Sequence, residues 1–406
     1  MHGAEAVVRR RWFGCCAVAV VVVGVVGGWA LRTTAPGLSF VWMADFAVYR
    51  AGGAAVLDGR PLYAVEVDAA DIASGLPFTY PPFAALLFTV PALLGAAVAQ
   101  AAWLVLDLVA LAGVVRVSLS MAGLRPRLPW AVSAVVAVAA HALDPVLSNT
   151  VLGQVNVLLV LLVLVGLHPA VPARWSGVAI GLAAAVKLTP LLFVGYLWFT
   201  GRRVAAAWAV GTVVATIGLG FAVLPGDSAR YWLDGLFLDS GRVLVDEVGV
   251  NHSLFGLFAR LTGDPGSAWP ALPVCAAVAG VGLVVAAAAR QRGDELAGAV
   301  LVGCTAALVS PVTWPPHLVW VVPALVWLVA ADSTRAAVAA LVVALWCGLP
   351  VYWAAQRLPD GSGLWYQATP VGNLLATFGS PLPLVVAAVL VAALRLPIAT
   401  RGRARG

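Results

Sequence analysis

Asp45 is the first acidic side chain after the opening apolar run of the sequence, within the segment FVWMADFAVYRAGGAAVLDGRPLY. Tyr49 follows by four residues, so the two side chains share one face if this segment is helical. A carboxylate held beside a reacting hydroxyl can act as a general base, which makes Asp45 a candidate catalytic residue. Tyr49 and the next residue, Arg50, are candidates for binding the donor or the acceptor. The alternative is that Asp45 is a solvated or helix-capping loop residue.

Lys187 is the only lysine in the chain, and it falls near the middle of the apolar run 176–199. An ionisable group at that depth is costly, so a functional role is the first hypothesis. The ammonium could hold the phosphate of a lipid substrate. The alternatives are snorkelling or an ion pair with Asp107 or Asp144. Pro190, three residues further on, predicts a break or a kink in the same helix.

Two further segments contribute candidate residues. His317 lies in LVSPVTWPPHLVW, where an imidazole can donate to or accept from a reacting hydroxyl near neutral pH, so it is a second catalytic candidate. A purely structural histidine is the alternative. In NHSLFGLFAR, the side chains that could bind hydroxyls or a phosphate are Asn251, His252, Ser253 and Arg260. An amphipathic interfacial helix explains that segment equally well.

Other polar positions have mainly structural interpretations. Tyr80, in TYPPF, lies at interfacial depth, where amphipathic rings are favoured, and it is retained as a candidate binding residue. Gln154 and Asn156 interrupt the apolar run VLGQVNVLL and are expected to make interhelical hydrogen bonds, away from the candidate site. The sequence has no Gly-rich phosphate loop, metal-ligand spacing, paired-acid motif or Ser-His-Asp set. We therefore expect neither a metal nor a cofactor.

The composition defines the class of protein. Of 406 residues, 62% are hydrophobic and only 10% are charged, whereas soluble domains carry about 25% charged residues. The chain is therefore expected to be an integral membrane protein. The net charge of +6 comes from arginines spread among short loops and ends, so we expect no nucleic-acid partner. All five cysteines fall within apolar runs, which is typical of packing residues rather than of disulfides.

The hydropathy pattern predicts an all-α polytopic protein with about twelve transmembrane helices in a single domain, 1–406. The apolar runs lie at 13–31, 82–95, 97–119, 130–147, 152–168, 176–199, 204–224, 271–290, 296–312, 317–331, 335–353 and 380–396. The positive-inside rule, with an uncleaved first span, places the N-terminus and the basic tail 396–406 in the cytoplasm. The same alternation places the long loops 32–81 and 225–270, together with 354–379, outside. Only Arg125 and Arg127 disagree with the positive-inside rule, because this topology places them outside.

Six segments together resemble glycosyltransferase family 87, a group of GT-C-type mannosyltransferases that depend on polyprenol-phosphate-mannose and are best known in actinobacteria. They occur in family order over about residues 40–320, as D-x-x-x-Y with DGRPLY, FTYPPFAALL, LGQVNVLL, AAAVKLTPLLF, NHSLFGLFAR and SPVTWPPHLVW. By this resemblance, Asp45 matches the catalytic acid of the first extracytoplasmic loop. His317 matches the second histidine of a family pattern S-P-x-S-W-x-H-H, in which Thr313 and Pro316 replace family residues.

The resemblance implies a plasma-membrane enzyme with an extracytoplasmic active site. It implies an inverting transfer of α-mannose, without a metal, from a polyprenyl-phosphate sugar donor in the lipid bilayer to a glycolipid acceptor. The acceptor would be a phosphatidylinositol mannoside, lipomannan or lipoarabinomannan. Two alternatives stay open, namely transfer of another polyprenyl-phosphate sugar such as arabinofuranose, and a lipid-glycan transporter or flippase. The long loops on one side favour the enzyme, and Lys187 or Arg260 would receive the phosphate.

Overall fold

A computed structural model describes residues 43–69, 73–124, 129–238, 251–262, 271–331 and 333–348. Some predictions concern residues outside these ranges, namely the first span, Arg125, Arg127, the segment 354–379 and the basic tail.

The described part of the chain is predominantly helical. Its α-helices are α1 (Ala44–Leu57), α2 (Pro82–Ala92), α3 (Ala96–Met121), α4 (Trp130–Ala140), α5 (Asp144–Leu152), α6 (Asn156–Leu167), α7 (Ala173–Val186), α8 (Leu192–Phe199), α9 (Arg203–Val223), α10 (Pro225–Trp232), α11 (Leu254–Thr262), α12 (Ala271–Gln291), α13 (Glu295–Val309), α14 (Val321–Ala330) and α15 (Thr334–Gly348). Short 3-10 helices lie at Leu62–Ala64, Thr189–Leu191, Leu236–Leu238 and Pro315–Leu318.

Three described helices, α3, α9 and α12, are long and apolar enough to cross a membrane, and the pair α4 and α5 could form a fourth span. That pair is bent by 88° at its break. Many large apolar side chains on these helices are exposed, as expected for lipid-facing surfaces. The prediction of a helical membrane protein agrees with this architecture, whereas the count of twelve spans and the positions of the loops stay predictions.

The predicted first loop contains a β-hairpin, so the expectation of a purely α-helical chain needs a small correction. Strands β1 (Glu66–Ala69) and β2 (Ala73–Pro77) pair in an antiparallel manner. The 3-10 helix before β1 contacts the second predicted loop, because the backbone amide of Leu62 donates to Asp227 Oδ1 at 2.9 Å. Tyr63 and Tyr231 also stack, with ring centroids 5.5 Å apart. The segments predicted as two separate loops therefore meet.

Close helix contacts depend on glycines without a Cβ atom. A Cβ at Gly177 or Gly181 of α7 would collide with backbone carbonyl oxygens of α9, those of Ala205 and Ala209 respectively. In the same way, a Cβ at Gly53 of α1 would collide with the carbonyl of Phe88 in α2. Small residues spaced by four positions allow such close approach in membrane helices. These contacts fix α7 against α9 and α1 against α2.

Two breaks between helices place polar side chains among apolar helices. Gly153 ends α5 with φ of +69°, a left-handed conformation that favours glycine, and Gln154 follows before α6 begins. Helix α7 ends at Val186, and Lys187 has an extended backbone with φ of −148° and ψ of 133°. The 3-10 helix that contains Pro190 comes next, which confirms the predicted interruption. Backbone breaks of this kind are tolerated at membrane depth where they line a cavity.

Candidate active site

A cavity of about 440 Å³ lies where the two helix breaks meet the two predicted loops. This is within the size range of small-molecule sites. Its polar side chains include two of opposite charge, Asp45 and Lys187, together with His317. Apolar residues line the remainder, among them Leu188, Leu192 and Val309. We call this space the active cavity, and it offers a charged centre beside an apolar wall.

The start of α1 fixes the position of Asp45. Met43, immediately before α1, has φ of +42°, an unusual conformation for a residue with a side chain. Its backbone amide donates to the carbonyl of Val151 in α5 at 2.8 Å, and its side chain is fully buried. Phe46 packs on Trp103 with ring centroids 4.8 Å apart. These contacts hold the first turn of α1 against α3 and α5, so that Asp45 points into the active cavity.

Gln154 joins the aspartate to the rest of the site. Its Nε2 donates to Asp45 Oδ2 at 2.8 Å. Its Oε1 accepts from the hydroxyls of Tyr49 at 3.1 Å and Tyr80 at 3.3 Å, and from Asn156 Nδ2 at 3.2 Å. With these three donors on Oε1 and the Asp45 carboxylate on Nε2, the amide cannot rotate without losing several hydrogen bonds. Gln154 therefore directs a fixed donor at the carboxylate.

Lys187 stands at the other end of the same network. Its Nζ donates to Asn156 Oδ1 at 2.9 Å and to the Tyr80 hydroxyl at 3.5 Å, and it lies 5.4 Å from the centre of the Tyr80 ring. In the described part of the chain, no carboxylate lies within ion-pair distance of Nζ. Asp107, one of the alternative partners, instead accepts from Asn149 and Thr150. Lys187 therefore faces the cavity without a carboxylate partner among the described residues.

The environment of Asp45 adjusts its proton affinity. Burial raises the pKa of its carboxyl to about 6, against the opposing effects of the Gln154 hydrogen bond and the positive charge of Lys187. A group with a pKa near 6 is mostly ionised at neutral pH, yet it binds a proton more readily than an ordinary aspartate. This is the property required of a general base.

His317 lines the active cavity from the 3-10 helix Pro315–Leu318. Its Nδ1 accepts from the backbone amide of Trp314 at 3.0 Å. A neutral imidazole whose Nδ1 accepts carries its proton on Nε2. His317 can therefore offer Nε2–H as a hydrogen-bond donor, and the rigid Pro315-Pro316 segment holds the ring in place.

The remaining candidates have different surroundings. Asn251 and Ser253 are buried and bond to the backbone, since Asn251 Nδ2 donates to the Pro311 carbonyl at 2.8 Å and Ser253 Oγ donates to it at 3.3 Å. Arg50 donates to the carbonyls of Pro91 and Leu94, at 3.2 Å and 2.8 Å. None of these three side chains lines the active cavity. The side chain of Arg260 lies outside the described residues.

Several residues of the site differ from those expected from the sequence. The expectation that Gln154 and Asn156 lie away from it is wrong, because both belong to the network around Asp45 and Lys187. Tyr63 and Tyr231 also line the active cavity and were not selected. The signal available in the sequence is the two amide side chains, Gln154 and Asn156, that follow Gly153 in an otherwise apolar run. Among the described residues, no group of three or more His, Cys, Asp or Glu side chains could hold a metal ion.

Comparison with known proteins identifies the family of this sequence. The model of glycosyltransferase family 87 matches residues 78–311, a range that contains Gln154 and Lys187. A polyprenol-phosphate-mannose-dependent alpha-(1-2)-phosphatidylinositol pentamannoside mannosyltransferase of Mycobacterium tuberculosis is 34% identical over 315 residues, 77% of this chain and 72% of the relative. A polyprenol-phosphate-mannose-dependent alpha-(1-2)-phosphatidylinositol mannoside mannosyltransferase of Mycolicibacterium smegmatis is 33% identical over 374 residues, 84% and 82% respectively.

No solved structure matches this chain. The family match covers more than half of the sequence, and the relatives extend the similarity over most of it. Together with the apolar helices, these findings confirm the resemblance noted from the six sequence segments. The protein is a membrane glycosyltransferase, and the chain belongs to glycosyltransferase family 87.

Proposed function

We propose that this protein is an inverting α-mannosyltransferase that moves mannose from a polyprenyl-phosphate-mannose donor to a lipid-linked mannoside of phosphatidylinositol, lipomannan or lipoarabinomannan. The observation that carries the proposal is one network that joins Asp45 to Lys187 across the active cavity through Gln154 and Asn156. The donor and the acceptor class follow from the names of the mycobacterial relatives.

Asp45 acts as the general base in the proposed reaction. Its carboxylate takes the proton of an acceptor hydroxyl, and the oxygen attacks C1 of the mannosyl unit from the face opposite the phosphate. The bond between C1 and the phosphate oxygen breaks, and its electron pair stays on the departing polyprenyl phosphate. The proton ends on Asp45. One base suffices for this displacement, unlike the two carboxylates that glycosidases use.

The leaving phosphate gains negative charge during the same step, and Lys187 is the cation that faces it. A fixed positive charge at the point where negative charge develops stabilises the transition state more than the ground state. His317 Nε2–H is a further donor on the cavity wall. The apolar wall beside Lys187, which includes Leu188 and Leu192, suits the polyprenyl chain.

The active cavity is proposed to open on the extracytoplasmic face of the plasma membrane. Helix α9 starts with Arg203, directly after Arg202, and α12 carries Arg290 in its last turn, so arginines mark one membrane face of both helices. Beyond the other end of α9, α10 contributes Tyr231 to the active cavity. Arginines prefer the cytoplasmic side of membrane proteins. This charge pattern supports an extracytoplasmic site.

The test is transfer by the purified protein in liposomes that contain a phosphatidylinositol mannoside acceptor. Three donors are compared: polyprenyl-phosphate-mannose, polyprenyl-phosphate-arabinofuranose and GDP-mannose. We expect mannose transfer from the first donor alone. We also expect an α-mannosidase to remove the added mannose from the product. Preferred transfer of arabinofuranose, or equal transfer from GDP-mannose, would refute the donor assignment. Movement of lipid between leaflets without sugar transfer would refute the enzymatic assignment.

A further inference from the structure

A second cavity, of about 460 Å³, lies between α6, α7, α9 and α12 and shares no residue with the active cavity. Three arginines, Arg202, Arg203 and Arg290, contribute to its wall, as does His168. No aspartate or glutamate is among its lining residues. We refer to this space as the basic cavity.

The arginines of the basic cavity have an excess of positive charge over their direct partners. Glu295 accepts from Arg202 at 2.9 Å and also pairs with Arg290, so one carboxylate serves two guanidinium groups. Arg203 lies over the ring of Trp198, 5.3 Å from its centre. Within the described ranges, no carboxylate is within ion-pair distance of Arg203. An anion in the basic cavity would offset this excess.

Two helix N-termini add to the positive potential. Helix α7 begins at Ala173 and α9 begins at Arg203, and neither has a side-chain cap on its first amide groups. The close contacts at Gly177 and Gly181 bring these two helices together. Free amide groups at a helix start carry partial positive charge and favour phosphate. The arginines and both helix starts therefore act on the same space.

The position of the basic cavity indicates where its ligand comes from. Helix α9 has 21 residues, and a helix of that length spans about 31 Å, close to the thickness of the hydrocarbon core. The active cavity lies beyond the far end of α9, since Tyr231 of α10 lines it. The basic cavity is thus at the opposite membrane face, where lipid phosphates are abundant.

We propose that the basic cavity binds the phosphate group of an anionic membrane lipid, at a site separate from the active cavity. Basic pockets between membrane helices on the cytoplasmic side commonly take such headgroups. A free phosphate ion has the same chemistry, but only a lipid also contacts the exposed apolar side chains nearby, such as Val204. The proposal does not depend on the identity of the sugar donor or acceptor.

The test is native mass spectrometry of the purified full-length protein in a neutral detergent, with phosphatidylglycerol titrated against phosphatidylcholine. We expect phosphatidylglycerol to be retained at lower concentration than phosphatidylcholine. Arg203→Gln should weaken phosphatidylglycerol binding about fivefold, since one basic residue near a lipid surface contributes about 1 kcal/mol. The matched control is Arg174→Gln, because Arg174 is also exposed at this membrane face, 5.3 Å from the centre of the Trp175 ring, yet it does not line the basic cavity.

The control should bind phosphatidylglycerol like the unmodified protein, and sugar transfer should persist in both variants, which shows that they are folded. Equal retention of the two lipids would overturn the proposal, as would an equal loss of binding in both variants. Inorganic phosphate is added in a separate titration. Displacement of phosphatidylglycerol by low millimolar phosphate would identify free phosphate as the ligand and overturn the lipid assignment.

Discussion

The hydrogen bond from Gln154 to Asp45 allows a sharp prediction about the pH dependence of transfer. Gln154→Glu keeps the length of the side chain and an oxygen that can accept from Tyr49 and Tyr80. It replaces the donor that lies 2.8 Å from Asp45 Oδ2 with a carboxylate oxygen. The charge-assisted bond is lost, and two carboxyl groups then face each other and must share a proton.

The magnitude follows from the strength of that bond. A hydrogen bond to a charged group contributes about 1.5–3 kcal/mol, and one pH unit corresponds to about 1.4 kcal/mol. The pKa of Asp45 is raised to about 6 in the unmodified protein. The base acts when ionised, so the rate falls as the pH drops through this value. In the variant, the acid limb should move upward by about one to two pH units.

The assay is kcat/KM for mannose transfer between pH 5 and pH 9. At pH 7, Gln154→Glu should be about two- to tenfold slower because less of the base is ionised, and most of the rate should return at pH 9. The control is Tyr49→Phe, which removes a bond to Gln154 Oε1 and leaves the donor to Asp45 in place. An unchanged acid limb in Gln154→Glu, with a uniform loss at every pH, would refute the reasoning.

Three further predictions concern charge, packing and buried polarity. Lys187→Met should lower kcat about 10²–10³-fold in the transfer assay, with partial recovery in Lys187→Arg, and a loss confined to KM would contradict the role at the leaving phosphate. Gly177→Val should reduce the yield of monodisperse protein in size-exclusion chromatography, because a side chain there collides with α9. The control Gly211→Val has open space around it and should not reduce the yield. Equal yields of the two variants would disprove the tight contact. Asp107→Leu should leave the buried amide of Asn149 without its acceptor, at a cost of about 1–3 kcal/mol. An unchanged thermal unfolding midpoint would argue against this network.

The charged members of the site are predictable from the sequence because ionisable residues are rare and costly in apolar segments. Lys187 was selected as the only lysine, and Asp45 was selected by its position in the first long loop. The structure places both on the active cavity. Their catalytic roles are not established by that placement and stay predictions. The family assignment depended on six ordered segments, and the comparisons confirm it.

The location of Gln154 could not be predicted from hydropathy alone. Strict alternation of membrane sides treats each apolar run, such as 130–147 and 152–168, as one straight transmembrane helix. In the structure, α4 and α5 are bent by 88° relative to each other in this part of the chain. Helix α5 makes tertiary contacts with α3, such as the bonds from Asn149 and Thr150 to Asp107. A hydropathy average contains no information about such contacts, so it separated Gln154 from the cavity that contains Asp45.

Asn251 and Ser253 show the opposite limit. Their side chains could bind a hydroxyl or a phosphate, and that chemistry made them candidates. In the structure, these polar atoms bond to the backbone of the segment before His317. Buried backbone groups need such partners, and a sequence does not show which side chains will supply them. These two residues therefore shape the loop that carries His317.

The central claim is that Asp45 is the base, and the most direct measurement is the transfer rate of Asp45→Asn. The amide is nearly isosteric and has no negative charge, so it cannot take the acceptor proton. With equal insertion into liposomes and equal donor binding, we expect the rate to fall by about 10²–10⁴ at all pH values. A rate within about threefold of the unmodified protein, with the acid limb near pH 6 still present, would contradict the account.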